Sequence, residues 1–254
     1  MYENIFDTHA HYNDESFDTD RDEVLSSLPN KGVSGVINCG TTLLSSAACR
    51  ELAEKYDFAY FAAGIHPEDC EEQGESDIDA LIPLLMHKKC VAIGEIGLDY
   101  HYSPENRTRQ LLFFEKQLSI AKEFDLPVII HDREAHADTL ELLKKYRPKG
   151  VLHCFSGSSE TAKEVVSLGM YIGLGGAVTF KNARRPLEVS AVVPSDRLLL
   201  ETDCPYMAPV PFRGKRNDSS LIPYAAEVIA AVRNDTAQNI INIAADNART
   251  LFGL

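Results

Sequence analysis

Residues 91–100 read Val-Ala-Ile-Gly-Glu-Ile-Gly-Leu-Asp-Tyr. Val91–Glu95 is predicted as a β-strand, because a short apolar run suits a parallel sheet covered on both faces. Its last residue is a carboxylate, which is costly to bury unless it is paired or bound to a metal. The same design recurs along the chain. Seven more strand candidates are Asn4–His9, Val33–Cys39, Phe58–Ile65, Val128–His131, Val151–His153, Tyr171–Leu174 and Leu198–Thr202. Amphipathic stretches lie between and after them. Beyond Pro104, Leu111, Phe114, Leu118 and Ala121 share one helical face. Ser76 with Asp79 resembles a capping signal, and Gly169 after Leu168 reads as a helix stop. Ala225, Val228, Ile229 and Val232 mark a late helix, and Thr236 stands where the last one would be capped. Eight β-then-α units in 254 residues predict one (β/α)8 TIM-barrel domain over residues 1–254. A doubly wound open sheet is the runner-up, but it usually has fewer strands, and no GxGxxG opens a helix here.

The net charge of −13 opposes a protein that coats nucleic acid with a basic surface. It leaves room for a local cationic site that takes a phosphate. No apolar run approaches the roughly 18 residues that span a membrane. The opening MYENIFDTHAHY lacks a basic n-region followed by an apolar h-region, so a cytoplasmic location is expected. Six cysteines without a CxxC pair are expected to be free thiols in a reducing compartment, and their spacing supports no zinc finger. The one long polar loop with basic character is Ala208–Ser220, APVPFRGKRNDSS.

Metal-competent residues gather at the C-terminal ends of the strand candidates. His9 and His11 are two apart, so an extended chain puts both imidazoles on one face, where they can chelate one metal. The third strand ends in Gly-Ile-His66-Pro, the fourth in Glu95, the fifth in His131-Asp132 and the sixth in His153-Cys154. The eighth ends in Glu201-Thr202-Asp203-Cys204-Pro205, with Glu201 and Asp203 on one face. Taken singly, each has an ordinary structural reading. His131 or His153 suits a satisfied core histidine, Glu201 a partner for an arginine, and Asp203 the cap of a turn. Taken together, they belong to strand ends that a barrel brings onto one rim, where active sites of this fold lie.

The combination DTHAHY, GIHP, GEIGLDY, IIHDR, HCFSG, ETDCPY and PFRGKRN closely resembles the TatD family of metal-dependent hydrolases, from residue 7 to the terminal NARTLF. The resemblance implies two divalent cations. His9, His11, Glu95 and Asp203 would hold one, and Glu95 would bridge to a second completed by His131 and His153. His66 would face the substrate, and Arg213 would contact its phosphate. The family loop commonly continues with an acidic residue and Pro where this chain has Asp218 and Ser219. Losing that Pro is expected to loosen the loop.

Asp203 is expected to act as general base as well as ligand. For Glu201, orienting a ligand histidine and structural support are equal readings. Lys215 and Arg216 are expected in solvent, and His87, His101 and His136 outside the ligand set. Tyr12, Tyr100 and Phe155 are open between stacking on a base and walling the site. The ligand set suits zinc, manganese or nickel in purified protein, and nuclease members of the family are associated with magnesium. The resemblance implies a deoxyribonuclease, a 3′-5′ exonuclease cleaving phosphodiester bonds of DNA with a metal-activated water. The alternative is a small-molecule hydrolase of phosphoesters, amides or lactones on the same metals. A barrel that has lost catalysis would show damaged ligand positions, and all six are filled. No obligate protein partner is implied, and a monomer or weak dimer is expected.

Overall fold

The computed structural model of the chain describes residues 2–254. Eight parallel strands follow one another round one sheet in chain order. They are β1 (Ile5–Ala10), β2 (Val33–Cys39), β3 (Ala59–Ala63), β4 (Cys90–Asp99), β5 (Val128–Arg133), β6 (Gly150–Leu152), β7 (Tyr171–Leu174) and β8 (Leu198–Leu200). Helices fill the connections, giving the expected (β/α)8 barrel. The barrel closes where β1 meets the chain after β8. Ala10 and Cys204 form a parallel bridge, His11 N donates to Cys204 O at 2.8 Å, and Asp203 N donates to His9 O at 2.9 Å.

Strand alternation explains why a polar rim sits on an apolar plug. Ile129, Val151 and Leu199 lie in one buried cluster with Phe6, Ile37 and Ala62. The C-terminal helix Ala237–Phe252 adds Ala248 and Phe252 to that cluster. His131, His153 and Glu201 stand two residues beyond Ile129, Val151 and Leu199, so they share the same side of the sheet one layer higher.

β4 runs four residues past the predicted end at Glu95. Its ladder with β5 is interrupted between Ile93 and Ile96, then resumes with Ile96 opposite Ile130, Gly97 opposite His131 and Asp99 opposite Arg133. Glu95 therefore sits in a bulge, a device that re-aims a side chain beside an active site. Gly97 permits the resumed pairing. Its φ is +143°, and a Cβ there would lie 1.9 Å from His131 O.

The helix Arg107–Glu123 buries Phe114, Leu118 and Ala121 as predicted, while Leu111 is only partly buried. It also buries Gln110 and Gln117, which pin loop backbone. Gln117 accepts from Ile65 N at 2.8 Å and donates to Ile65 O at 3.1 Å. Gln110 accepts from Asp99 N and donates to Asp99 O, both at 2.8 Å. Ser76 and Asp79 do not form the expected cap. The helix Glu75–Ala80 starts at Gly74, whose N donates to Asp77 at 2.6 Å. Thr236 caps the last helix by accepting from Asn239 N at 3.2 Å.

Ser219 corrects another expectation. Its hydroxyl donates to buried Asp7 at 2.6 Å and accepts from Tyr12 at 2.7 Å. The loop that was expected to loosen without Pro is tied to β1 by a side chain that Pro lacks. Asp7 also accepts from the Thr202 hydroxyl at 2.6 Å, so one carboxylate holds both ends of the barrel seam.

Candidate metal centre

Glu95 is buried at the centre of the rim, and its two oxygens face different partners. Oε2 lies 3.2 Å from His9 Nε2 and 3.5 Å from His11 Nε2. Oε1 lies 3.0 Å from His131 Nδ1, 2.8 Å from His153 Nε2 and 3.3 Å from His66 Nε2. Asp203 completes the first group, with Oδ1 3.7 Å from His9 Nε2 and 3.5 Å from His11 Nε2. The two H-x-H nitrogens are 2.9 Å apart, and His131 Nδ1 is 3.2 Å from His153 Nε2.

These separations fit a divalent cation. Bonds of about 2.0–2.1 Å hold donor atoms roughly 3–3.5 Å apart round one ion. Neutral imidazoles and carboxylates form the donor set of catalytic zinc and manganese sites. Two groups of donors share the Glu95 carboxylate, and His66 has a nitrogen within reach of the second group. His66 thus stands closer to the carboxylate than a purely substrate-facing role requires.

Electrostatics set the charges. Burial, with His153 close by, pushes the His9 imidazole down to about 4, which leaves a neutral ring. Burial also opposes charge on His11, but the Asp203 hydrogen bond and the nearby Glu95 and Asp203 charges together outweigh it and lift the ring to about 9. Burial likewise raises the Glu95 and Asp203 carboxyls, and the surrounding histidines more than reverse that, holding both below their ordinary range. Asp203 has φ of +58°, in the left-handed region that Asp enters more readily than most residues.

Glu201 touches the site differently. It accepts a hydrogen bond from Cys154 N and stands 3.9 Å from His153 Nδ1, with no hydrogen bond between them. Burial lifts its carboxyl to about 8. A Cβ on Gly173 would lie 2.4 Å from Glu201 Oε2, so only glycine leaves room for it. Support of the turn after β6 is its observed contact.

The donors open into a cavity of about 640 Å³, whose lining includes His66, Tyr102, Arg133, Asp203 and Tyr206. A second depression of about 860 Å³, lined in part by Arg213 and Lys215, shares Asp14, Tyr206 and Met207 with it. Arg213 is exposed there, its guanidinium 3.9 Å from the centre of the Phe180 ring. Arg216 is held by Asp20 at 2.6 Å. His87, His101 and His136 pair instead with Glu54, Glu134 and Asp132. Tyr12 and Phe155 are buried, and Tyr100 hydrogen-bonds Asp138. None of these three aromatics lines the cavity. Tyr102 and Tyr206 do.

The family profile described as TatD related DNase matches residues 6–253. The chain belongs to the TatD-related DNase family. Among its relatives, the uncharacterized metal-dependent hydrolase YabD of Bacillus subtilis (strain 168) is 43% identical over 251 residues, covering 98% of both chains. A 3′-5′ ssDNA/RNA exonuclease TatD from Erwinia tasmaniensis is 34% identical over 259 residues, covering 98% of this chain and all of that one. The crystal structure of YjjV, a TatD homolog from Escherichia coli K12, matches with a TM-score of 0.93 at 35% identity over 100% of both chains. Among the described residues of this TatD-family chain, no helix is long and apolar enough to cross a membrane. All six cysteines are free.

One residue beside the TatD-family site escaped the sequence reading. Asp99 is buried, and its Oδ2 lies 2.9 Å from His131 Nε2. The signal was present. Glu95, Gly97 and Asp99 alternate along one strand, so they share a face wherever β4 stays extended.

Proposed function

We propose that this chain is a metal-dependent phosphodiesterase that shortens single-stranded nucleic acid, DNA first, from its 3′ end. The observation that carries this reading is the adjacency of the donor-lined cavity and the Arg213 depression. A small-molecule hydrolase calls for a closed pocket. Here the donor-lined cavity borders an open surface depression across Asp14, Tyr206 and Met207. The Erwinia relative's name supports the same class of substrate.

His9, His11, Glu95 and Asp203 would hold one divalent cation, and Glu95, His131 and His153 a second. Bound there, such ions supply positive charge that eases deprotonation of water and offsets charge on phosphoryl oxygens. Asp203 orients the attacking water and accepts its proton, since its side chain keeps 19% exposure toward the cavity. His66 faces the phosphate at the cleaved bond. Arg213 holds a phosphate farther along the strand, where its planar fork suits two oxygens. Asp203→Asn tests the proton acceptor: the rate should collapse while both metals stay bound, because Asn tolerates the same left-handed backbone.

The deciding experiment follows end-labelled single-stranded DNA with magnesium or manganese, using wild type and Glu95→Ala. Stepwise 3′ shortening that Glu95→Ala abolishes is the expected result. Absence of cleavage at full metal occupancy would overturn the reading.

A further inference from the structure

The cavity above the donors contains one guanidinium, Arg133, and no lysine. Arg133 is the last residue of β5, two beyond His131. It is half-buried, and among the described residues its side chain has no hydrogen-bond or ion-pair partner. Arg147, Arg185 and Arg213 also lack such a partner, but they are exposed, whereas Arg107 reaches Asp138 and Arg216 reaches Asp20. The Arg133 guanidinium stands over a ring instead. The guanidinium carbon lies 4.5 Å from the centre of Tyr102. Tyr102 is 58% exposed although it lines the cavity.

Both side chains are fixed to the donor set through backbone. Asp99 faces Arg133 across the β4–β5 ladder, and Tyr100 N donates to Arg133 O at 2.9 Å. Asp99 Oδ1 accepts from Tyr102 N at 2.8 Å and His101 N at 2.9 Å, while its other oxygen holds His131. One carboxylate therefore sets a candidate ligand and the aromatic rim in register.

We infer that Arg133 and Tyr102 form a nucleotide subsite, with Arg133 taking a phosphate and Tyr102 stacking on the attached base. The inference rests on the phosphodiesterase reading and deepens it. An unpaired guanidinium in a cleft offers five N–H donors in a fork that matches phosphate oxygens. An exposed ring beside it accepts any base, because every base has a π-face. Arg133 against the ring also braces the platform by a cation–π contact. The subsite lies on the β4–β5 side of the cavity, apart from the Arg213 loop.

The test is equilibrium binding of thymidine 5′-monophosphate and of deoxyribose 5-phosphate to the metal-loaded protein, with metal content measured in parallel. Arg133→Gln should weaken both ligands about tenfold or more, with metal content at the wild-type level. Arg133→Lys, which keeps the charge without the fork, should lose less. Tyr102→Ala should weaken the nucleotide about 5- to 100-fold and leave the abasic sugar phosphate unchanged. Tyr102→Phe should bind both normally. Wild-type binding by Arg133→Gln, or equal losses for both ligands in Tyr102→Ala, overturns the subsite. If either result comes from a protein whose wild type cuts single-stranded DNA, the phosphodiesterase reading survives. If the metal-loaded wild type neither binds the nucleotide nor cuts DNA, that reading falls and the subsite with it.

Discussion

Asp99 Oδ2 sits 2.9 Å from His131 Nε2, while Nδ1 of the same ring faces Glu95 at 3.0 Å. Burial raises the Asp99 carboxyl, but the His131 hydrogen bond and the Tyr102 and His101 amides outweigh it and bring it to about 2. An ionised Asp99 keeps the proton on Nε2 and aims the Nδ1 lone pair at the second donor group. Asp99→Ala should weaken one metal about 10- to 100-fold and spare the other. Equilibrium dialysis with metal analysis measures this. Two unchanged affinities would remove the positioning role.

Metal removal should destabilise the fold. A ligand that binds only the native state adds about 2.7 kcal/mol at a concentration one hundred times its Kd. The donors come from β1, β4, β5, the turn after β6 and the turn after β8, so they exist together only in the closed barrel. Chelation should lower the melting temperature, and restoring zinc or manganese should recover it. A melting temperature indifferent to both treatments would contradict the donor assignment.

His136 provides a pH test away from the donors. The Asp132 hydrogen bond at 2.6 Å raises its imidazole above the ordinary 6.5, against partial burial. A raised histidine contributes fully below its unfolded value and loses that contribution as pH climbs through the folded value. The wild type should therefore lose unfolding free energy, relative to His136→Asn, as pH rises above about 6.5. A partly exposed pair of this kind contributes less than about 1 kcal/mol. Urea titrations at several pH values check the slope, and parallel curves for the two proteins would count against it.

Ser219→Ala removes the hydroxyl that serves both Asp7 and Tyr12 in a buried seam. Leaving such groups short of a partner costs about 1–3 kcal/mol. The urea midpoint should fall with the slope unchanged. A midpoint equal to wild type would show that the seam does not need the bond.

The barrel was legible because each strand is an apolar run that stops at a polar residue. Periodicity reports that pattern without any tertiary knowledge. The end of β4 was not legible. A bulge consumes residues without changing composition, so Glu95 looked like a terminus when it lies mid-strand. The donor residues were visible as types at strand ends, whereas the division of Glu95 into two faces is a matter of ångströms. The roles of Gln110 and Gln117 were not legible either, because the backbone groups they serve belong to other segments. Arg133 lies beyond the predicted strand end at His131, and its lack of a partner is a property of the assembled cavity.

The seam between Ala10 and Cys204 gives the closed barrel a further property. His9 and His11 are made early in synthesis and Asp203 late, yet all three converge on one point. A cation held there would act as a clip joining the two ends of a long loop, offsetting part of the entropy lost when those ends are brought together. A chain emerging from the ribosome would have no complete site until its final strand had docked. Hydrolytic capacity would then arrive only with the finished fold, and a fragment lacking the last quarter of the chain would have none.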